Sequence, residues 1–190
     1  MLIRREAPGD AAAIRAVTVA AFARTGAVDP PVEAALVDDL RAGPEWLPAL
    51  SLVAVSLVAV SLGAVSLGAS PAGGRGGDVA GHVVCTRGHI GQAPVLALGP
   101  LSVHPDSQRR GVGSALMHAV LGAADALGEP LVALVGSAEY YRRFGFRLGG
   151  EYGIAPPRPH WRPHFQVRTL TAYQPDVRGT FAFASPFDRT

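Results

Sequence analysis

The stretch from Leu101 to Met117, LSVHPDSQRRGVGSALM, constrains the fold of this chain more than any other. An apolar strand ends at Val103, His104-Pro105 breaks it, and after a polar turn Gly111-x-Gly113 opens an amphipathic helix. The first N–H groups of a helix have no partner inside it, and they carry the positive end of its dipole. Glycine at that point lets an anion approach the backbone with no Cβ in the way. The combination is a cradle for a diphosphate, with Arg109 and Arg110 supplying charge beside it. Two other phosphate motifs do not fit. A P-loop needs a lysine, and the chain has none. A dinucleotide fingerprint needs a third glycine where Leu116 stands.

Hydrophobic patterning places the other elements around this unit. Leu2 to Arg5 reads as an opening strand. Asp10 is expected to N-cap a helix from Ala11 to Arg24, whose Ile14, Val17, Thr18, Ala21 and Phe22 form one stripe. A second helix over Val32 to Arg41 stops at Gly43-Pro44. Strands are expected over Val79–Thr86 and Val95–Val103. Gly99-Pro100 lies inside the second of these, and proline cannot donate to a ladder, so a bulge or free edge is expected there. The helix from Gly111 to Leu127 should bury Val112, Leu116, Ala119, Val120, Ala123 and Leu127. A short strand at Leu131–Val135, a short helix at Ser137–Phe144, a strand starting at Phe146 and a strand at Phe165–Leu170 follow. The pattern is that of one mixed α/β domain over residues 1–190, with the segment 150–190 completing the sheet.

The imperfect pentapeptide repeat SLVAV-SLVAV-SLGAV-SLGAS starts at Ser51 and leads into a glycine-rich stretch ending at Gly77. Leu50 to Ala69 has the length of a membrane span, about 20 residues, but its serines and glycines dilute it. A period of five suits neither helix nor strand. Residues 51–77 are therefore expected to be a low-complexity insertion that lengthens a strand and hairpin loop. No membrane association is expected, and nothing near Met1 reads as a signal peptide.

Composition narrows the class further. Apolar residues make up 48% of the 190, enough for a packed core. The net charge of +2 comes with scattered arginines and no basic run, so no nucleic-acid partner is expected. Cys85 stands alone, which excludes an internal disulfide and suits a reducing cytoplasm. His160 and His164 are spaced i, i+4, but Pro159 and Pro163 oppose a helix that would present both to a metal, and no metal is expected.

Leu101, Val103, Pro105, Gln108, Gly111 and Gly113 match the GNAT acetyltransferase signature, Leu-x-Val-x-Pro followed by an Arg/Gln-x-x-Gly-x-Gly/Ala turn. A second element of that family, Tyr-x-x-x-Gly-Phe, stands as Tyr141 to Phe146. The chain resembles a bacterial branch of single-domain N-acetyltransferases over nearly its whole length outside the repeat. The resemblance implies a mostly antiparallel central sheet, splayed at an acetyl-CoA site, with helices on both faces. It gives the backbone of Leu101, Ser102 and Val103 to the pantetheine arm, and the amides of Gln108, Arg109, Arg110, Gly111, Val112, Gly113 and Ser114 to the diphosphate. It implies acetyl transfer to a primary amine of an unidentified small molecule, peptide or protein, with Tyr141 as general acid.

The general base stays open at this level. Val95 to Val103 contains no carboxylate, and the chain has no asparagine. Glu139, His82 or a water relay could serve, and His104 reads as a strand-end residue. The missing carboxylate keeps a second reading in view, an acyl-CoA-binding or regulatory module with impaired catalysis. No pattern fixes the oligomeric state, and a homodimer is compatible with the sequence.

Overall fold

The computed structural model describes residues 1–23, 30–56 and 79–189. Among the described residues, nine strands and four α-helices follow one another as β1 (Leu2–Arg5), α1 (Ala11–Phe22), α2 (Val32–Ala42), β2 (Trp46–Val55), β3 (Val79–Ile90), β4 (Ala93–Val103), α3 (Val112–Ala126), β5 (Leu131–Val135), α4 (Ala138–Tyr141), β6 (Arg147–Leu148), β7 (Ile154–Ala155), β8 (Phe165–Thr169) and β9 (Gly179–Ala182). The main path of the sheet runs β1-β2-β3-β4-β5-β8-β6, and β9 pairs with the far end of β3 and with β7. Pairing along that path is antiparallel except between β4 and β5. Chain order forces that exception, because the crossover from β4 through α3 to β5 returns the chain in the same direction.

The two faces of the sheet are covered by different helices. α3 lies on one face, where Val112, Leu116, Met117, Val120, Leu121 and Ala124 pack against Leu52, Ala54, Val83 and Leu96. On the other face α1 and α2 bring Ile14 and Val37 onto Val53 and Val55. β2 thus sends Leu52 and Ala54 one way and Val53 and Val55 the other, the alternation of a strand buried on both sides. That strand contains the first repeat copy, Ser51–Val55, as its second half. Residues 57–78 lie outside the described residues, and with them the rest of the expected insertion. No helix of the described residues is long and apolar enough to cross a membrane.

Several elements depart from expectation. The β3–β4 hairpin runs on to Ile90 and Ala93 around a two-residue turn at Gly91-Gln92, so both strands are longer than the hydrophobic run suggested. α3 buries the expected Val112, Leu116 and Val120, with Ala119 and Ala123 against the same cluster, but its buried face is wider and takes in Met117, Leu121 and Ala124, while Leu127, just past the helix end, is 55% exposed. A helix this rich in alanine and leucine carries apolar residues almost all round, so its own periodicity resolves the face poorly. Asp10 precedes α1 but does not cap it with its side chain. Its carboxylate instead takes two hydrogen bonds from Arg4, at 2.5 and 2.9 Å, and the Ala7 N–H at 2.7 Å.

Candidate functional site

β4 and β5 share a ladder only at Leu96–Val132 and Ala97–Ala133. Just beyond, Val83 pairs with Leu101 and Cys85 with Leu98, so one more residue of β4 is spanned than of β3. That is the bulge expected at Gly99-Pro100. Gly99 sits at φ +148°, a conformation that suits glycine, and Pro100 has no N–H to offer. The strands part there, and a cleft of about 990 Å³ opens between them.

One end of the cleft is the first turn of α3. Arg109 and Gly111 hold left-handed backbone at φ +58° and +83°, and the first helical bond runs from the Ala115 N–H to the Gly111 carbonyl at 2.9 Å. The N–H groups of Val112, Gly113 and Ser114 therefore have no partner within the helix. Gly111 is required by its φ, since a Cβ there would meet open space. Gly113 is required by closeness, because a Cβ would lie 2.7 Å from the Tyr140 hydroxyl. Both glycines thus keep side chains out of a turn whose donors face the cleft, as a diphosphate cradle requires.

Most residues expected to hold the coenzyme line this cleft: Leu101 and Val103 from β4, then Gln108, Arg109, Gly111, Val112, Gly113 and Ser114. Two do not line it with their side chains, which leaves the backbone role expected of Ser102 untouched. The Ser102 side chain is buried on the opposite side of β4, where its hydroxyl donates to Thr18 Oγ1 at 3.1 Å. The alternation of a strand dictates this, since Leu101 and Val103 face the cleft. Arg110 is turned back on its own loop, 3.4 Å from the Asp106 carbonyl, and does not line the cleft. Gln108 donates to the Val103 carbonyl at 3.1 Å and ties the turn to the strand end.

Tyr140 and Tyr141 both line the cleft, from α4. Tyr141 is the deeper. Its ring lies against Gly136, where a Cβ would come within 2.5 Å of it, and packs edge-on to Phe146 with centroids 5.8 Å apart. Burial and the neighbouring Tyr140 push the Tyr141 hydroxyl up to about 12, so it stays protonated at neutral pH. Tyr140 packs on Phe144 and carries the Arg143 guanidinium 4.3 Å above its ring. Packing therefore engages both tyrosines.

The sequence candidates for a base do not reach the cleft. Glu139 is exposed on α4 and is not part of its lining. His104 ends β4, and its Nδ1 accepts the Asp106 N–H at 3.3 Å, a turn-forming role. His82 is fully buried on the α1/α2 side, in a chain of side chains that resembles a hydrolytic triad only by residue type. Ser51 Oγ donates to Glu6 Oε2 at 2.5 Å, and His82 Nε2 donates to Ser51 Oγ at 2.9 Å. The serine proton therefore points at the carboxylate and not at the histidine, and no nucleophile is activated. Burial holds His82 neutral against the pull of Glu6. Cys85 is fully buried in β3, and burial pushes its thiol up.

The far end of the cleft holds residues the sequence did not single out for the site. Phe22 of α1, Glu33 and Leu36 of α2, and Trp161, Phe183 and Phe187 of the C-terminal segment close it, while Arg143 joins Arg109 at the coenzyme end. The aromatic residues are too far apart in sequence, and their segment too irregular, for any period to connect them. Arg143 was visible only as half of an Arg142-Arg143 pair.

A splayed β4–β5 junction beside a glycine-opened helix is the arrangement that the acetyltransferase resemblance implies. The family model described as acetyltransferase (GNAT) domain matches residues 72–148. A crystal structure of a GNAT family acetyltransferase from Brucella melitensis in complex with acetyl-CoA is 32% identical, with 98% of this chain and 97% of that one covered and a TM-score of 0.70. The GNAT family N-acetyltransferase YhbS from Escherichia coli, solved in complex with CoA, is 26% identical, with coverage of 99% and 92% and a TM-score of 0.80. The uncharacterized N-acetyltransferase YjhQ of Escherichia coli K12 is 29% identical over 185 residues, which cover 93% of this chain and 88% of that protein. The chain belongs to the GNAT acetyltransferase family.

Proposed function

We propose that this protein transfers the acetyl group of acetyl-CoA to a primary amine by direct attack on the thioester. The reading rests on one observation above all: a single cleft joins the unpartnered N–H groups of α3 to the free edge of β4 and to Tyr141. Gly111, Val112, Gly113 and Ser114 hold the diphosphate through their amides, with Arg109 and Arg143 adding charge. Leu101 and Val103 present the backbone of β4 to the amide-bearing arm. That placement leaves the thioester at the splay, beside Tyr141.

There the neutral amine nitrogen bonds to the carbonyl carbon and the carbon–sulfur bond breaks, with the nitrogen's surplus proton leaving to solvent. Tyr141 donates its hydroxyl proton toward the departing sulfur and recovers one from solvent. Holding both reactants in line supplies much of the rate. The protein is expected to gain several degrees in melting temperature with saturating acetyl-CoA and to release CoA thiol when an amine acceptor is added. Thiol detection is clean here, because Cys85 is buried.

The lack of a carboxylate on β4 supports a second reading, an acyl-CoA-binding module with impaired catalysis. Tight acetyl-CoA binding with no CoA release across a broad panel of amines would select it. No thermal shift with acetyl-CoA would dismiss both readings.

A further inference from the structure

The two ends of the cleft differ in chemistry. Arg109 and Arg143 stand at the coenzyme end. At the other end the described lining residues include no cation, although the Arg158 guanidinium lies 4.8 Å from the centroid of the Trp161 ring, and Glu33 is the sole carboxylate among the described lining residues. Glu33 is half-buried in the first turn of α2 and makes no ion pair or hydrogen bond among the described residues. Leu36, one turn on, shares its helix face.

Aromatic rings complete that end. Phe187 packs on the cluster of Leu36 and Leu40, so it stands next to the face that carries Glu33. Its Cε1 is also 4.0 Å from where a Cβ on Gly99 would be, which places the ring at the point where β4 and β5 part. Phe183 stacks against Phe187 with centroids 5.1 Å apart, and Trp161 meets Phe183 edge-on at 5.7 Å. All three rings are only partly buried and face the cleft. A carboxylate with no partner among the described residues, beside a partly open aromatic wall, attracts a cation carried on an apolar body. It repels an anionic one.

We infer that the acceptor subsite takes a small arylalkyl amine, with Glu33 pairing the ammonium and Trp161, Phe183 and Phe187 holding the ring. This inference rests on the acetyl-transfer reading and names its substrate class. Glu33 is a binding residue: it gathers the charged form from solvent, and the amine sheds its proton to solvent before attack.

The test uses the full chain with acetyl-CoA and follows CoA release with phenethylamine, ethanolamine, glutamate and a peptide with N-terminal phenylalanine. Phenethylamine is expected to exceed ethanolamine by about tenfold or more in kcat/KM, with glutamate weaker still. Glu33→Gln should raise the KM for phenethylamine about tenfold with a smaller change in kcat, and Glu33→Asp should restore part of it. Trp161→Ala should weaken phenethylamine several-fold and leave ethanolamine unchanged. In all three variants the thermal shift with acetyl-CoA alone should stay at the wild-type value.

Ethanolamine or glutamate used as well as phenethylamine would overturn the inference while leaving acetyl transfer standing, as would an unchanged KM in Glu33→Gln. Use of the peptide without phenethylamine would overturn the small-molecule assignment. Silence of every amine despite intact acetyl-CoA binding would overturn the transfer reading, and this inference with it.

Discussion

Glu6 offers a quantitative check on the buried polar layer between the sheet and α1/α2. Its side chain is 9% exposed. Burial raises its affinity for a proton, but donors from His82 through Ser51, from Arg41 at 2.7 Å and from Ser51 itself outweigh that and bring it from 4.5 to about 2. At about 1.4 kcal/mol per unit, the ionised form is favoured in the fold by about 3 kcal/mol. Because the folded value is depressed, this stability is fully present above pH 4.5 and is lost as pH falls toward 2. Glu6→Gln mimics the protonated state at every pH. Urea unfolding should therefore show the variant about 3 kcal/mol less stable than wild type at pH 7, and only about 1 kcal/mol less stable at pH 3. His82, held neutral by burial, loses the pull of Glu6 in the variant and resists protonation further, which offsets part of that narrowing. A gap that stays constant between pH 7 and pH 3 would refute the reasoning, and so would a gap that widens.

Other outcomes follow from the site. Gly111→Asp should abolish acetyl-CoA binding, because it puts a side chain at φ +83° and a negative charge into the diphosphate cradle; near-normal affinity by calorimetry would contradict the assignment. Tyr141→Phe should lower kcat by about tenfold or more while acetyl-CoA affinity holds, and unchanged turnover would leave Tyr141 with packing alone. Gly136→Ala should displace the Tyr141 ring, which lies 2.5 Å from the added carbon, and lower turnover without touching that hydroxyl chemically; wild-type kinetics would show that the ring's position is not critical.

The centre of the fold was legible because its signals are local. Strand, proline break and glycine turn sit within one short stretch, and each glycine has a backbone or steric reason that the structure bears out. The bulge at Gly99-Pro100 was legible for the same reason, since proline cannot join a ladder. What the residues did not disclose depends on which way a side chain turns or on long-range contact. Arg110 falls in the right stretch, but a local carbonyl turns its side chain, and the charge expected of it, away from the cleft. The width of the buried face of α3 was underestimated because its sequence is apolar almost all round. The short strands β7 and β9 lack any run of apolar residues and exist through pairing with each other and with β3. The far end of the cleft was not legible, because Leu36 and Phe187 come together only once α2 and the C-terminal segment have packed.

Hydrogen exchange at the amides of Gly111 to Ser114, with and without acetyl-CoA, tests the central claim most directly. Main-chain donors that open α3 are assigned to the coenzyme's diphosphate, so these amides should slow strongly when it is added, while the exposed hairpin turn at Gly91-Gln92 should not change. Equal exchange at 111–114 in the two states, under conditions where acetyl-CoA is bound, would contradict it.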